Sequence, residues 1–123
     1  MNVLNKDIGS YGENLACEYL LDIKHKILAR NFRSKLGEID IITFFNNMII
    51  FTEVKSRYTN SYGSPMESVT YYKQKQIIKL SSYYILINKL NDYNIRYDVI
   101  EIFFNKSNQN FTINHIKDAF RAY

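Results

Sequence analysis

The chain has 123 residues, 46% of them hydrophobic, which is enough to bury the core of one domain without disulfides or a structural metal. One proline and four glycines argue against long linkers, so we expect a single domain over residues 1–123, and the lone cysteine excludes an internal disulfide. The net charge of +4 and the pI near 9.1 are compatible with a polyanionic partner, although charge alone does not identify one.

The chain begins without a targeting signal and enters a predicted helix. Met1–Gly9 lacks the apolar stretch of a signal peptide, and no apolar run reaches the ~18 residues that span a membrane, so we expect a cytoplasmic protein. From about Asp7 to Lys24, small and apolar residues recur at helical spacing. Cys17 lies among apolar neighbours, which favours a buried small hydrophobe over a catalytic thiol.

Three residues of this helix carry specific expectations. Gly9 and Gly12 lower helix stability, but their missing side chains allow this face to lie close to another element. Glu13 falls on the same helical stripe as Ala16, so we expect it to point toward the core.

Three strands are predicted next. Lys26–Arg33 is the first, and Gly37–Phe44 and Met48–Lys55 are rich in β-branched and aromatic residues. The pair Asn46-Asn47 predicts a tight hairpin turn between the last two, because asparagine tolerates positive φ.

The second half of the chain predicts a helix followed by two strands. Ser64 is suited to the N-cap, Pro65 to the first helical position and Glu67 to a capping box. The apolar stripe of this helix comprises Val69, Ile77, Leu80, Tyr84 and Ile87. Strands at about Arg96–Phe104 and Asn110–Ile116 and a short helical turn at Lys117–Tyr123 complete the order α-β-β-β-α-β-β.

The hairpin brings charged residues together. A two-residue loop at Asn46-Asn47 places Asp40 opposite Glu53, and the same register places Glu38 opposite Lys55 on the same face. Opposed like charges lie about 5 Å apart and are destabilising unless a cation compensates them. Mg²⁺ and Mn²⁺ favour oxygen ligands, so the pair predicts a metal between Asp40 and Glu53.

A solvated hairpin face with Lys55 as a salt-bridge partner is the alternative interpretation. Against it, both faces of the hairpin are apolar, as in buried central strands. The residues predicted beside the charges are Ile42, Phe44, Ile49 and Phe51, and those on the opposite face are Ile39, Ile41, Met48, Ile50 and Val54. Charges at the end of such strands are costly unless they are paired, metal-bound or open to a cleft.

Several segments together resemble the small bacterial YraN-like family of the PD-(D/E)xK superfamily, which also contains archaeal Holliday-junction resolvases and many restriction enzymes. The matching segments cover essentially the whole chain: GSYGENLACEYL, RNFRSKLGEIDII, FTEVKSR, SPMESVTYYKQKQI, RYDVIEI and HIKDAF. The superfamily's proline before the acidic residue is absent, and GEID at Gly37–Asp40 stands in its place.

The resemblance implies an αβββαβ restriction-endonuclease-like core with a mixed central sheet flanked by helices. By the same resemblance, Asp40 and Glu53 are ligands of Mg²⁺ or Mn²⁺, and Glu13 completes the site. Lys55 orients or helps to deprotonate the attacking water, or stabilises charge on the phosphate. The implied chemistry is metal-assisted hydrolysis of phosphodiester bonds.

Other polar residues have two possible roles. Glu38 either supports the site or pairs with Lys55, and we favour the pairing. Lys73 and Gln76 either face the cleft or lie at its rim. The candidate phosphate contacts are Arg30, Arg33, Lys35, Arg57, Lys73, Lys75 and Lys79. Asp98 is predicted to be a structural hydrogen-bonding acid, His115 is interpreted as local structure, and His25 has no metal-ligand spacing to His115.

The leading hypothesis is a metal-dependent endonuclease acting on DNA, including branched or damaged DNA, with a homodimer suited to a two-stranded cut. A non-catalytic nucleic-acid-binding adaptor that keeps the fold is the second hypothesis. A protein-interaction module whose hairpin merely packs is the third. The sequence does not decide between DNA and RNA.

Overall fold

The computed structural model describes residues 8–58, 69–108 and 110–122. Its elements in chain order are α1 (Ile8–Asp22), β1 (Lys26–Ser34), β2 (Gly37–Phe45), β3 (Met48–Tyr58), α2 (Tyr71–Ile87), β4 (Asn94–Phe104) and β5 (Phe111–Phe120). This confirms the predicted α/β class, and the order is compatible with a restriction-endonuclease-like core.

The strands form one mixed sheet in the order β1-β2-β3-β4-β5. Neighbours are antiparallel except β3 and β4, which run parallel. A parallel pair needs a long crossover, and α2 lies within the crossover that joins these two strands. The strands β3 and β4 therefore lie at the centre of the sheet.

Two apolar clusters cover the two faces of the sheet. The cluster on the α2 face contains Ile39, Ile42, Ile49, Phe51, Val69, Ile77, Leu80, Tyr84, Tyr97 and Val99. The cluster on the α1 face contains Ala16, Cys17, Leu20, Ile41, Ile100, Ile102 and Phe104. The predicted burial of Cys17 is confirmed. Within the described ranges, no helix is both long and apolar enough to cross a membrane.

The predicted hairpin register is confirmed over its closed part. Asn46 and Asn47 have φ values of 52° and 63°, as a two-residue turn with two left-handed positions requires. The ladder then pairs Phe45 with Met48 and continues in step. The turn thus fixes which residues of β2 and β3 lie side by side.

One predicted face assignment is wrong. Ile39 was expected opposite the face of Ile42, but the two pack in the same cluster on the α2 face, whereas Ile41 packs against α1. The alternation on β2 breaks between Ile39 and Ile41, next to Asn31 on β1, whose φ of 53° marks an irregular position in the same ladder.

The start of α2 and the structure of the C-terminal segment also differ from the prediction. The α2 helix begins at Tyr71 with Thr70 as N-cap, whose side chain accepts a hydrogen bond from the Lys73 N–H at 3.1 Å. The predicted cap residues Ser64, Pro65 and Glu67 lie outside the described residues.

The predicted C-terminal helical turn at Lys117 is wrong, because β5 continues as strand to Phe120. The register shifts before Phe120, and Asp118 within this irregular part has a φ of 55°. The Asp118 N–H donates to Asp98 Oδ1 at 3.0 Å, so a buried acid holds the bulge and keeps the strand against β4. Residue 123 of the predicted turn lies outside the described residues.

Candidate active site

The charged end of the hairpin lies where β2 and β3 separate. Their last ladder pair is Ile41 with Thr52, and β3 continues in parallel pairing with β4. Asp40 Oδ2 accepts a hydrogen bond from the Val54 N–H at 2.8 Å. The Asp40 side chain thus takes the place of the β2 backbone as the acceptor for the Val54 N–H, where the two strands separate.

Asp40 and Glu53 meet at this opening, as the sequence predicted. Asp40 is buried. Burial, a hydrogen bond with Glu53 and the charges of Glu53 and Glu38 raise the pKa of Asp40 to about 8, although the Val54 N–H opposes them. The raised pKa of Asp40 favours a protonated carboxyl beside Glu53 at neutral pH.

A third and a fourth carboxylate approach the same point. Ligand oxygens of Glu13, Glu38 and Asp40 lie within 4.8 Å of one another. The Asn31 amide nitrogen, in the orientation that satisfies its neighbours, donates to Glu38 Oε1 at 2.7 Å and to Glu13 Oε1 at 2.9 Å. Burial, followed by the charges of Asp40 and Glu38, raises the pKa of Glu13. We call Glu13, Glu38, Asp40 and Glu53 the acidic site.

The first helix reaches this site through a close approach to β3. A Cβ built at Gly12 would overlap Ser56 Oγ, so only glycine allows this spacing. The prediction for Gly12 is confirmed, whereas a Cβ at Gly9 would meet open space. Since Glu13 follows Gly12 directly, the close approach of α1 to β3 determines how near the Glu13 carboxylate comes to Asp40 and Glu38.

Two lysines flank the acidic site. Lys55 lies two residues beyond Glu53 on β3, so both side chains leave the same face of the strand. From α2, Lys73 Nζ lies 3.8 Å from Glu53 Oε2. The predicted cleft-facing position of Lys73 thus corresponds to an ion pair with a site carboxylate.

The remaining predicted polar residues lie around the site at different distances. Glu38 pairs with Arg33 at 3.2 Å, and its pairing with Lys55 stays a prediction. Arg30 donates to Asn14 Oδ1 at 2.9 Å on α1. Gln76 lies within 4 Å of the position that a Cβ of Gly37 would take, which places it against the β1–β2 turn.

The other basic residues are spread over several surfaces. Lys35 is exposed in the β1–β2 turn, and Lys75 and Lys79 are exposed on α2. Arg57 lies 5.9 Å from the ring centre of Phe103 at the far end of β3. Arg33 and Lys73 form ion pairs with two carboxylates of the acidic site, Glu38 and Glu53.

Glu101 is a residue that the sequence reasoning missed. It occupies the ladder position beside Lys55 on β4 and is fully buried, and neither carboxylate oxygen has a hydrogen-bond partner in the part of the chain that the structure describes. Paired residues of parallel strands project from the same face, so its carboxylate lies on the side of Lys55. An acid between the apolar residues Ile100 and Ile102 of RYDVIEI was the available signal.

Asp98 and His115 belong to a separate buried network. Arg96 donates to both Asp98 oxygens at 2.8 Å, and His115 Nε2 lies 2.8 Å from Asp98 Oδ2. His115 Nδ1 lies 2.9 Å from the Tyr19 hydroxyl. His25 bonds instead to Thr43, at 2.8 Å. The predicted structural role of Asp98 fits these contacts, which tie α1, β4 and β5 together.

The acidic site fits a hard divalent cation. The carboxylate oxygens of Glu13, Glu38 and Asp40 are donors that Mg²⁺ and Mn²⁺ prefer and lie within 4.8 Å of one another, whereas the predicted ligand Glu53 is outside this group and reaches it through Asp40. Among the described residues, Glu53 Oε2 is buried without a hydrogen-bond partner, and burial followed by the neighbouring Glu53 raises the pKa of Asp40. A cation at this point would relieve both costs.

Comparison with known proteins places the chain in a family. The model of the family described as "Uncharacterised protein family UPF0102" matches residues 12–102. This chain belongs to the UPF0102 family. The matched range contains the acidic site, Lys55 and Glu101. The YraN-like family assignment is thereby confirmed, and the relationship to the nuclease superfamily stays a prediction.

UPF0102 proteins of three clostridia are similar along nearly their full length. The protein of Clostridium botulinum (strain Alaska E43 / Type E3) is 54% identical over 122 residues, covering 99% of this chain and 100% of the relative. That of Clostridium beijerinckii is 53% identical over 121 residues and 98% of both chains. That of Clostridium novyi is 52% identical over 116 residues, or 94% and 97%.

Proposed function

We propose that this UPF0102 protein is a metal-dependent endonuclease that hydrolyses phosphodiester bonds of DNA. The observation that carries the proposal is the meeting of Asp40 and Glu53 at the point where β2 and β3 separate, with Lys55 on the same face of β3. Carboxylates paired with a lysine at the mouth of a sheet are suited to hold a cation and a phosphate together.

In this proposal, Asp40 and Glu53 hold Mg²⁺ or Mn²⁺, and Glu13 completes the site from α1. When bound, the ion lowers the pKa of a water molecule and neutralises charge that develops on the phosphate. The ammonium of Lys55 orients the attacking water or donates to a phosphate oxygen, where removing one such donor typically costs about 100-fold or more in rate. Glu38 and Asn31 hold Glu13 in place.

Phosphate binding along the strand is assigned to basic residues on both sides of the acidic site. Arg30, Arg33 and Lys35 lie on β1 and its turn, and Lys73 and Lys75 lie at the start of α2. Lys73 would exchange its ion pair with Glu53 for a phosphate once a cation compensates that carboxylate. Arg57 extends the basic surface along β3. Cytoplasmic location and a homodimer remain predictions.

Cleavage assays on branched, nicked, flapped and single-stranded DNA with Mn²⁺ or Mg²⁺ test the proposal. We expect cleavage by the wild type and at least about a 100-fold loss in Asp40→Asn and Lys55→Ala, with DNA binding retained. Asp92 and Lys26 are exposed away from the acidic site, so Asp92→Asn and Lys26→Ala are matched controls that should keep full activity. Equal cleavage by the wild type and Lys55→Ala would contradict the proposal.

The adaptor hypothesis predicts a different pattern in the same assays. An adaptor would bind DNA without metal, lose affinity as salt is added, and cleave no substrate with either ion. Unaltered DNA binding in Asp40→Asn fits both hypotheses, so cleavage by the wild type is the discriminating result.

A further inference from the structure

Two tyrosines at the start of α2 leave most of their surface in solvent. Tyr71 is 70% exposed and Tyr72 is 72% exposed, more than any other large apolar or aromatic residue in the described ranges. Single exposed apolar residues are common, but two adjacent aromatic rings on one helical turn present a larger surface. Their position beside the acidic site makes this surface relevant to a substrate.

Specific contacts join these rings to the acidic site. Lys73, the next residue, reaches Glu53 Oε2 at 3.8 Å. Gln76 Nε2 donates to the Tyr72 hydroxyl at 3.3 Å, and the Gln76 side chain packs at Gly37 in the β1–β2 turn. Gln76 therefore links the Tyr72 hydroxyl to the start of β2, the strand that contains Asp40.

The other ring is paired with a cation. Lys75 Nζ lies 4.9 Å from the ring centre of Tyr71. Both groups are exposed, so the ammonium is available to a phosphate while the ring is available to a base. Aromatic side chains interleaved with lysines are the composition of surfaces that bind single-stranded nucleic acid.

We propose that Tyr71, Tyr72, Lys73 and Lys75 form a stacking platform for unpaired nucleotides next to the scissile phosphate. The proposal rests on the nuclease function and narrows its substrate to DNA that carries a single-stranded stretch, such as a flap, an overhang or an open branch. In a duplex the faces of the bases are covered by their neighbours, so only unpaired bases can stack on these rings. The lysines supply the charge that complements the flanking phosphates.

Fluorescence anisotropy in EDTA tests the platform without any catalytic step. The probes are fluorescein-labelled single-stranded dT12 and a blunt 12-base-pair duplex, with wild type, Tyr71→Ala and Tyr72→Ala. We expect the wild type to prefer dT12, and each alanine variant to bind dT12 about tenfold more weakly with little change for the duplex. Tyr71→Phe and Tyr72→Phe keep the ring face and should stay within about twofold of the wild type.

Tyr83→Ala is the matched control, because Tyr83 is 48% exposed on the same helix, three turns from the platform. Equal affinity of the wild type for dT12 and duplex, or an equal loss in Tyr83→Ala, would overturn the proposal. A change in sedimentation in Tyr72→Ala without a change in dT12 binding would assign the surface to a protein contact and also overturn it. Tyrosine-dependent dT12 binding by a protein that cleaves nothing with Mn²⁺ would support the platform while refuting the nuclease.

Discussion

Asp40 has two roles that depend on different parts of its carboxyl group. One oxygen accepts the Val54 N–H, which holds β3 in place beyond the end of the ladder. The proton that it shares with Glu53 keeps the metal-free site from carrying two adjacent negative charges. A cation that displaces this proton would take over the compensation while leaving the backbone contact intact.

The raised pKa of Asp40 makes the stability of the metal-free protein depend on pH. Asp40 ionises near its usual pKa of 3.8 in the unfolded chain but near 8 in the fold, so its contribution is complete below about pH 4 and is lost as pH rises toward 8. Asp40→Asn keeps an acceptor for Val54 and removes the titration. We expect this variant to be more stable than the wild type by at least about 1 kcal/mol at pH 8, and the difference to shrink toward pH 4.

Urea unfolding in EDTA at several pH values measures this difference. Asp92→Asn, at an exposed turn, should follow the wild type at every pH. A variant that is less stable than the wild type at pH 8 would mean that Asp40 is ionised in the fold and that its pKa is not raised.

At the scale of elements, the contact between α1 and β3 decides whether Glu13 reaches the site. Gly12→Ala would force the helix away from Ser56, and we expect a loss of about 1 to 3 kcal/mol. Gly9→Ala is the matched control, because its Cβ meets open space and alanine favours helix.

Thermal unfolding of the two glycine variants checks this expectation. Gly12→Ala should unfold at a lower temperature than the wild type, and Gly9→Ala at the same or a higher one. The double variant with Ser56→Gly should recover much of the loss, since it removes the atom that the new Cβ would strike. An unchanged Gly12→Ala would show that α1 tolerates a shift and does not fix Glu13.

The Asp98 network joins β4 to the bulge of β5. Burial opposes ionisation of Asp98, but hydrogen bonds from His115 and Arg96 outweigh it and hold the pKa at about 2. The stability that this carboxylate contributes is complete above about pH 4 and is lost as pH falls toward 2.

Asp98→Asn should therefore cost about 2 to 4 kcal/mol at pH 7, because it leaves Arg96 without its charged partner. The difference from the wild type should shrink as pH falls toward 2. Denaturant unfolding at pH 7 and pH 3 measures both, and a constant difference across this range would contradict the assigned pKa.

Turn residues and side-chain alternation predicted the β2–β3 hairpin correctly, but they did not predict that the two strands separate beyond Ile41 and Thr52. The asparagine pair fixed the turn, and alternation fixed the register as far as Ile41 and Thr52. Where the strands separate, the Asp40 side chain accepts the Val54 N–H, and the face change on β2 lies next to Asn31 at positive φ. Neither is visible as a periodicity.

Long-range pairing explains the other misses. The residues at the C-terminus were read as a helical turn because their contact with Asp98, 20 positions earlier, has no local signature. Glu101 was overlooked because its position beside Lys55 depends on the parallel pairing of β3 and β4 across the α2 crossover. The acidic residues at the hairpin were found because they are neighbours in a local structure.

At the scale of the whole molecule, the topology brings the acidic residues together within a chain of positive net charge. A chain with net charge +4 concentrates four acids where α1, β2 and β3 meet, and basic residues lie on the elements around them. In the proposed function, the acids hold a cation and the positive net charge favours a polyanionic substrate. The matched family region spans α1 to β4 and so includes every element that contributes to the acidic site.

The most direct test of this account is a calorimetric titration of Mn²⁺ into the wild type, Asp40→Asn and Asp92→Asn at pH 7. We predict saturable binding by the wild type and Asp92→Asn that is lost in Asp40→Asn. The wild-type enthalpy should change between buffers of different ionisation enthalpy, because Asp40 releases its proton when the ion binds. Absence of saturable binding to the wild type, or equal binding to Asp40→Asn, would contradict the assignment of the acidic site as a metal centre.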